Sequence, residues 1–471
     1  MFLGFVVPEA APITRTGMEV IFIFLGLIWG WLFCDLLWPS VLGTVVLGIS
    51  SYFASPEAAW ASFFSNGTLL SMIFAFIFFS YISDTGLLDR AMDWLVSRKM
   101  FAGKPWAFVS FFLSMVALLA LCFAMIVLML LCFEFMGKLF KRAGITKESL
   151  VPSYIFLGIA IFASFGNLLI PYMPNALITL GLITQCLGGT ALTFPQWFLV
   201  VDLPIIITFA LYLLVGRFVF RLDLSAFAVA NDEITKENAA KGKTPFTSEQ
   251  RVAIIALIIF LVCNMVPTML PSSIAIVAWF KNFGLIGVTG TLLVLLSVYQ
   301  FKNGTTPINF AKQAAKGVHW TMVFLVGAIM AITSALTNNA STGIITWLAT
   351  NVVPLVRGFD VFAFVAIVMI FIGILTQFSM NMVLMFAFAP ILTSLGAAMG
   401  MNPLIPCMAV ICATQISFLA PTGSQGAALA YAQSDWLVMK SAQKVAIPWA
   451  ILSLVAYYLC VVFLVPIAYP I

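Results

Sequence analysis

The chain has 471 residues, 63% hydrophobic and only 8% charged, a balance that a protein dissolved in water does not sustain. The composition is that of a polytopic membrane protein, and the formal net charge of +5 is spread over short loops, so it bears on topology and offers no basic arm to nucleic acid. Catalytic chemistry is poorly supplied: the single histidine, His319, stands beside Trp320 at a span edge, no HExxH or GxSxG occurs, and the eight cysteines lack metal-ligand spacing. An enzyme is therefore not expected, and neither is a metal or an organic cofactor.

Met1–Gly17 carries Glu9 and no basic region ahead of a short apolar core, so the first span is expected to be retained rather than cleaved. Met18–Cys34 and Pro39–Phe53 read as a tight helix pair, turned at Trp38-Pro39. Leu69–Val96 follows, becoming amphipathic after Asp84 and ending in a surface arm with Asp89, Arg90 and Asp93. Residues 105–140 are basic at both flanks, which the positive-inside rule accommodates with a hairpin that enters and leaves by the cytoplasmic face. Residues 150–183 form a helix broken at Pro171-Tyr172-Met173-Pro174-Asn175, because two prolines remove amide donors there. Phe194–Phe220 returns to Arg217 and Arg221, and residues 222–250 read as a cytoplasmic linker.

The second half, residues 251–471, repeats the order of the first, residues 1–221: helix pair, long helix with an arm, hairpin over 361–395, broken helix over 402–433, final helix. Five crossings per half is odd, so the second copy enters in the opposite orientation, an inverted-topology repeat. The expected fold class is an all-α polytopic membrane protein with two such repeats, each of five crossing helices and a re-entrant helical hairpin. Both termini are expected outside the cytoplasmic (inner) membrane, with Arg15 alone on the disfavoured side.

The stretch Thr376-Gln377-Phe378-Ser379-Met380-Asn381-Met382 places hydrogen-bonding side chains in the middle of the second hairpin. Two hairpin tips and two broken helices converge at mid-membrane in this topology, where freed amides suit an anion and freed carbonyls a cation. Ser379, Asn381, Thr422, Ser424, Gln425 and, from the first half, Asn175 are the candidate anion-binding residues, with Ser164 and Asn167 nearby. All are neutral, which suits a solute that must be held and then released. The competing reading is that they only satisfy one another and the broken backbone. The first tip, Leu121-Cys122-Phe123-Ala124-Met125, has almost no polar side chain, so binding is expected to be lopsided and to suit a monocarboxylate or an anion with one apolar end. Of the intramembrane acids, Glu134 is one turn from Lys138 and reads as its ion-pair partner, while Asp202 reads as a cap for the helix that follows it.

The second tip resembles that of the divalent anion/sodium symporter family, part of the larger ion transporter superfamily. Met380-Asn381-Met382 stands where that family has Ser-Asn-Thr. Phe418-Leu419-Ala420-Pro421-Thr422-Gly423-Ser424-Gln425 is similar to the segment leading to its Thr-Pro-Pro-Asn break, and Met173-Pro174-Asn175 to the first-half copy. The resemblance implies a homodimer with a scaffold domain and a transport domain that moves as an elevator. It also implies tips that bind substrate carboxylates, and Na+ as coupling ion held near Thr376, Ser379, Asn381, Ala420 and Gly423. The partners expected are a small organic anion and the lipid bilayer, and the function a cation-coupled secondary transporter. The first Ser-Asn-Thr is missing here, so the first sodium site is not expected to follow the family. Two alternatives stay open: coupling to protons or anion exchange without sodium, and a receptor or regulatory subunit that binds without moving solute.

Overall fold

The computed structural model describes residues 11–65, 67–88, 90–91, 104–225, 245–302, 304–356 and 358–470. The surface arm expected around Asp89 and Asp93, and most of the linker expected over 222–250, lie outside or largely outside them. The described residues contain helices and no strand, and eight helices are long and apolar enough to cross a membrane.

The first half runs α1 (Arg15–Phe33), α2 (Leu37–Ile49), α3 (Pro56–Phe64) and α4 (Gly67–Asp84), then α5 (Pro105–Ala120), α6 (Met125–Arg142), α7 (Leu150–Gly166), α8 (Pro174–Cys186) and α9 (Phe194–Val219). The second runs α10 (Ser248–Met269), α11 (Ala275–Val298), α12 (Phe310–Gly317) and α13 (Trp320–Thr337), then α14 (Val361–Leu375), α15 (Asn381–Ala398), α16 (Leu404–Thr414), α17 (Gln425–Tyr431) and α18 (Met439–Ala468). Short turns over Asn339–Thr342 and Ile344–Trp347 begin the arm between α13 and α14.

Local chemistry accounts for many of these boundaries. Thr14 caps α1 by accepting from the Gly17 amide at 3.1 Å, and Ser55, followed by Pro56 at the first helical position, caps α3. Thr247 and Gln250 form a reciprocal capping box at α10, and Asp360 accepts from the Ala363 amide to start α14. The expected helix over Pro39–Phe53 is shorter than read, ending at Ile49, and α3 and α12 were not anticipated, being too short to register as apolar spans. α11 kinks at Gly284, whose φ of 63° a side chain would resist.

Helix packing is reciprocal between the halves. α4 packs on α11, as α13 does on α2; α4 also packs on α12, as α13 does on α3; and α8 packs on α15 and α16, as α17 does on α6 and α7. Two bodies of packing result. One gathers α1–α4 with α10–α13, the other gathers the hairpins, the broken helices, α9 and α18, and contacts between them run chiefly through α8 and α15. The second body has the more fully buried centre: Val151–Ala163 of α7 and all of α16 are buried. Tyr154 and Tyr212 donate to each other's carbonyls, tying α7 to α9.

Two smaller expectations resolve differently. Glu134 and Lys138 form the i,i+4 pair at 2.6 Å, both side chains exposed. Asp202 is not a cap. α9 runs straight through it in helical geometry (φ −70°, ψ −45°), over a π turn at Phe198–Asp202, and its side chain makes no capping bond.

Candidate functional site

Each broken helix gives way ahead of the proline that marked it in the sequence, and Pro174 already stands in the first turn of α8. α7 gives way to α8 across residues 167–173, and α16 to α17 across residues 415–424. The two hairpin tips sit against these breaks. In the second half the attachment is explicit: Gln377 Nε2 donates to the carbonyls of Gly373 (3.0 Å) and Ile416 (3.1 Å), while its Oε1 accepts from the Leu419 amide at 3.1 Å. Thr376 Oγ1 donates to the Thr414 carbonyl, Thr422 Oγ1 to the Gln377 carbonyl at 2.8 Å, and the Asn381 amide to the Gly423 carbonyl at 3.2 Å. Thr376, Gln377 and Thr422 are therefore committed to joining tip to break, the fate that the competing reading gave the whole cluster.

A cavity of about 120 Å³ lies where the tips and breaks meet. Its lining includes Asn175 and Thr179 of α8, Asn381 at the start of α15, and Ser424 and Gln425 at the start of α17, together with Ser164 and Asn167. Four of the six expected anion-binding residues are thus brought together, and Ser379 and Thr422 lie outside the lining, as do Thr376, Ala420 and Gly423. No lining residue carries a charge. Thr179 and Gln415 went unnoticed in the sequence, although Thr179 lies one helical turn beyond Asn175.

Helix starts supply the electrostatics that side-chain charges do not. α6, α8 and α15 each begin at the cavity, at Met125, beside Asn175 and at Asn381, and none has a side-chain cap. The positive ends of their dipoles favour an anion between them, with the first amides of α6 and the amides that follow Pro174 in α8 as donors. Asn381 Oδ1 accepts from the Met382 amide at 2.8 Å, a bond that orients its side chain. α17 is capped by Ser424, which accepts from the Ala427 amide at 3.1 Å, and Gly426 lets it approach α7 closely, since a Cβ there would stand 2.5 Å from Ser164 Oγ.

A second cluster of oxygens lies behind Asn381. A Cβ on Gly423 would stand 2.7 Å from the Ser417 carbonyl oxygen and 2.9 Å from that of Thr376, so only glycine lets these carbonyls close on the break. The hydroxyls of Ser379 and Ser417 are buried without a hydrogen-bond partner. Neutral oxygens left unsatisfied in this way fit a small hard cation.

The fold is that of an all-helical polytopic membrane protein with an uncharged cavity, faced by helix starts, between two broken helices. The citrate transporter family matches residues 24–411, and the chain belongs to that family. It is similar to the sodium-dependent dicarboxylate transporter SdcS of Staphylococcus saprophyticus, with 23% identity over 288 residues, 60% of this chain and 53% of that protein. It is also similar to human solute carrier family 13 member 4, with 29% identity over 128 residues, 27% of this chain and 20% of that protein. The chain thus spans about half the length of the first relative and a fifth of the second. These relatives bear out the resemblance to divalent anion/sodium symporters read from the second tip, and membership of a transporter family agrees with the expectation that the chain is not an enzyme.

Proposed function

We propose that this protein is a secondary active transporter of a small organic anion, coupled to sodium and working by an elevator motion. The observation that carries the reading is the uncharged cavity on which three uncapped helix starts converge beside Asn381. Asn381, Gln425 and Asn175 hold the anion with the helix amides, and Ser424 sets the angle of α17. The carbonyls of Thr376, Ala420 and Gly423, with Ser379 Oγ and Asn381, hold sodium behind it, and the relative SdcS is named as sodium-dependent. The hairpins, broken helices, α9 and α18 form the moving body. α1–α4 and α10–α13 form the scaffold, through which two copies associate. The recurring helix order and reciprocal packing support two inverted repeats with re-entrant hairpins, and the flanking charges support an inner-membrane orientation with both termini outside.

The test is uptake of labelled 4-methyl-2-oxopentanoate, succinate and citrate into proteoliposomes with and without sodium. Asn381→Ala removes a hydrogen bond to a charged group, worth about 1.5–3 kcal/mol, and is expected to cut uptake by roughly 10- to 100-fold. Unchanged uptake by the variant would overturn the assignment.

One observation favours a second reading, coupling to protons. Asp202 is 4% exposed, its Oδ1 has no hydrogen-bond partner, and it has no capping role to explain it. Gln196 bonds the Ala468 carbonyl, so α18 runs antiparallel to α9, and Lys440 and Lys444 stand at its far end. Tyr457, Tyr458 and Cys460 are the titratable groups on the nearer stretch. Under this reading Asp202→Asn makes sodium-free uptake independent of external pH, whereas an unaltered pH profile removes the reading.

A further inference from the structure

Five thioethers stand among the cavity's eight polar side chains. Met125 of the first tip, Met380, Met382 and Met385 of the second hairpin, and Met322 of α13 all line it, with Phe418 beside them. Met125 also takes up one of the few hydroxyls available, since Ser164 Oγ donates to its sulfur at 3.4 Å. The Asn167 amide is turned to the Ala163 carbonyl at 3.2 Å, its own helix. Side-chain donors to a ligand are therefore concentrated at Asn381, Gln425, Asn175 and Thr179, and the methionine side chains offer none.

A first carboxylate seated at those donors is well solvated. A second carboxylate on the same small molecule would lie against sulfur and methyl groups. There it would lose water and gain no side-chain hydrogen bond, and no lining cation would offset its charge. An apolar body in that position instead meets flexible, polarizable side chains that adapt to its shape.

Resting on the anion-transport reading above, we infer that this cavity selects a monoanion with an apolar body, its carboxylate at Asn381 and its hydrocarbon on Met125, Met322, Met382, Met385 and Phe418. Met382 and Met125 are the specificity-determining residues, one at each tip.

The experiment uses the purified full chain in sodium buffer, with 4-methyl-2-oxopentanoate as the branched monoanion and succinate and citrate as the di- and trianion. Thermal unfolding reads binding, and counterflow in proteoliposomes reads transport. The monoanion is expected to stabilise the protein and to exchange at concentrations at least tenfold below succinate. Met382→Thr is expected to narrow that preference by about tenfold, and Met382→Leu, which keeps the apolar contact, to preserve it. Met125→Ser gives the same readout from the opposite tip should Met382→Thr fail to fold.

Preference of the wild-type protein for succinate or citrate overturns the inference and leaves anion transport standing. An unchanged preference ratio in a folded Met382→Thr or Met125→Ser variant also overturns it. A folded protein that neither binds nor exchanges any of the three anions overturns the transport reading together with the inference.

Discussion

Replacing Gln377 by leucine is expected to lower the unfolding temperature and abolish uptake together. The side chain makes three hydrogen bonds from inside the protein, two donated to the Gly373 and Ile416 carbonyls and one accepted from the Leu419 amide. Gln377 is 7% exposed, so water cannot replace what leucine lacks. Each buried group left unpaired costs about 1–3 kcal/mol, tempered in a membrane protein by partners found in the unfolded state, so a loss of about 3 kcal/mol is expected. The second tip would then no longer be held to residues 415–424, and Asn381 would lose its position. Thermal unfolding and uptake measured on the same preparation check this. A variant as stable and as active as the wild type would show that the tip is held by packing alone.

The second large effect is expected at Gly423. An alanine methyl there would stand 2.7 Å from one backbone carbonyl oxygen and 2.9 Å from another, and neither belongs to a side chain that could swing aside. The break must shift, at a cost of about 1–3 kcal/mol, and the carbonyls of Thr376 and Ser417 must part. Gly423→Ala is thus expected to abolish stimulation of uptake by sodium and the thermal stabilisation that sodium confers, with only a moderate fall in unfolding temperature in its absence. Retention of the sodium-induced thermal shift in this variant would place the cation elsewhere.

The two expectations differ in how far the residues themselves announced them. Gln377 is legible in sequence as a polar side chain at mid-span, but a glutamine in that place serves equally well as ligand donor or as backbone staple. Two of its three partners lie 39 and 42 residues away, at Ile416 and Leu419. Gly423 is legible as part of a Pro-Thr-Gly-Ser interruption, yet the carbonyls that require a glycine come from Thr376 and Ser417. Asp202 misled for a related reason. Asp before Leu-Pro is a common helix start, and only the packed helix shows α9 passing through it uninterrupted.

The helices, their order and the two interruptions are properties of the chain itself. An apolar run either is or is not long enough to enter a bilayer, and a proline removes an amide donor wherever it stands, so these features depend on neighbours a few residues away. The tertiary structure decided which polar residues face the cavity and which are used up in building it. It left Asn175, Asn381, Ser424 and Gln425 on the lining, directed Thr376, Gln377 and Thr422 into holding tip to break, and brought Met322 from the other body of helices to complete the apolar wall. Hydrogen bonds and packing between segments far apart in the chain make that division, and hydropathy and local spacing carry no trace of them.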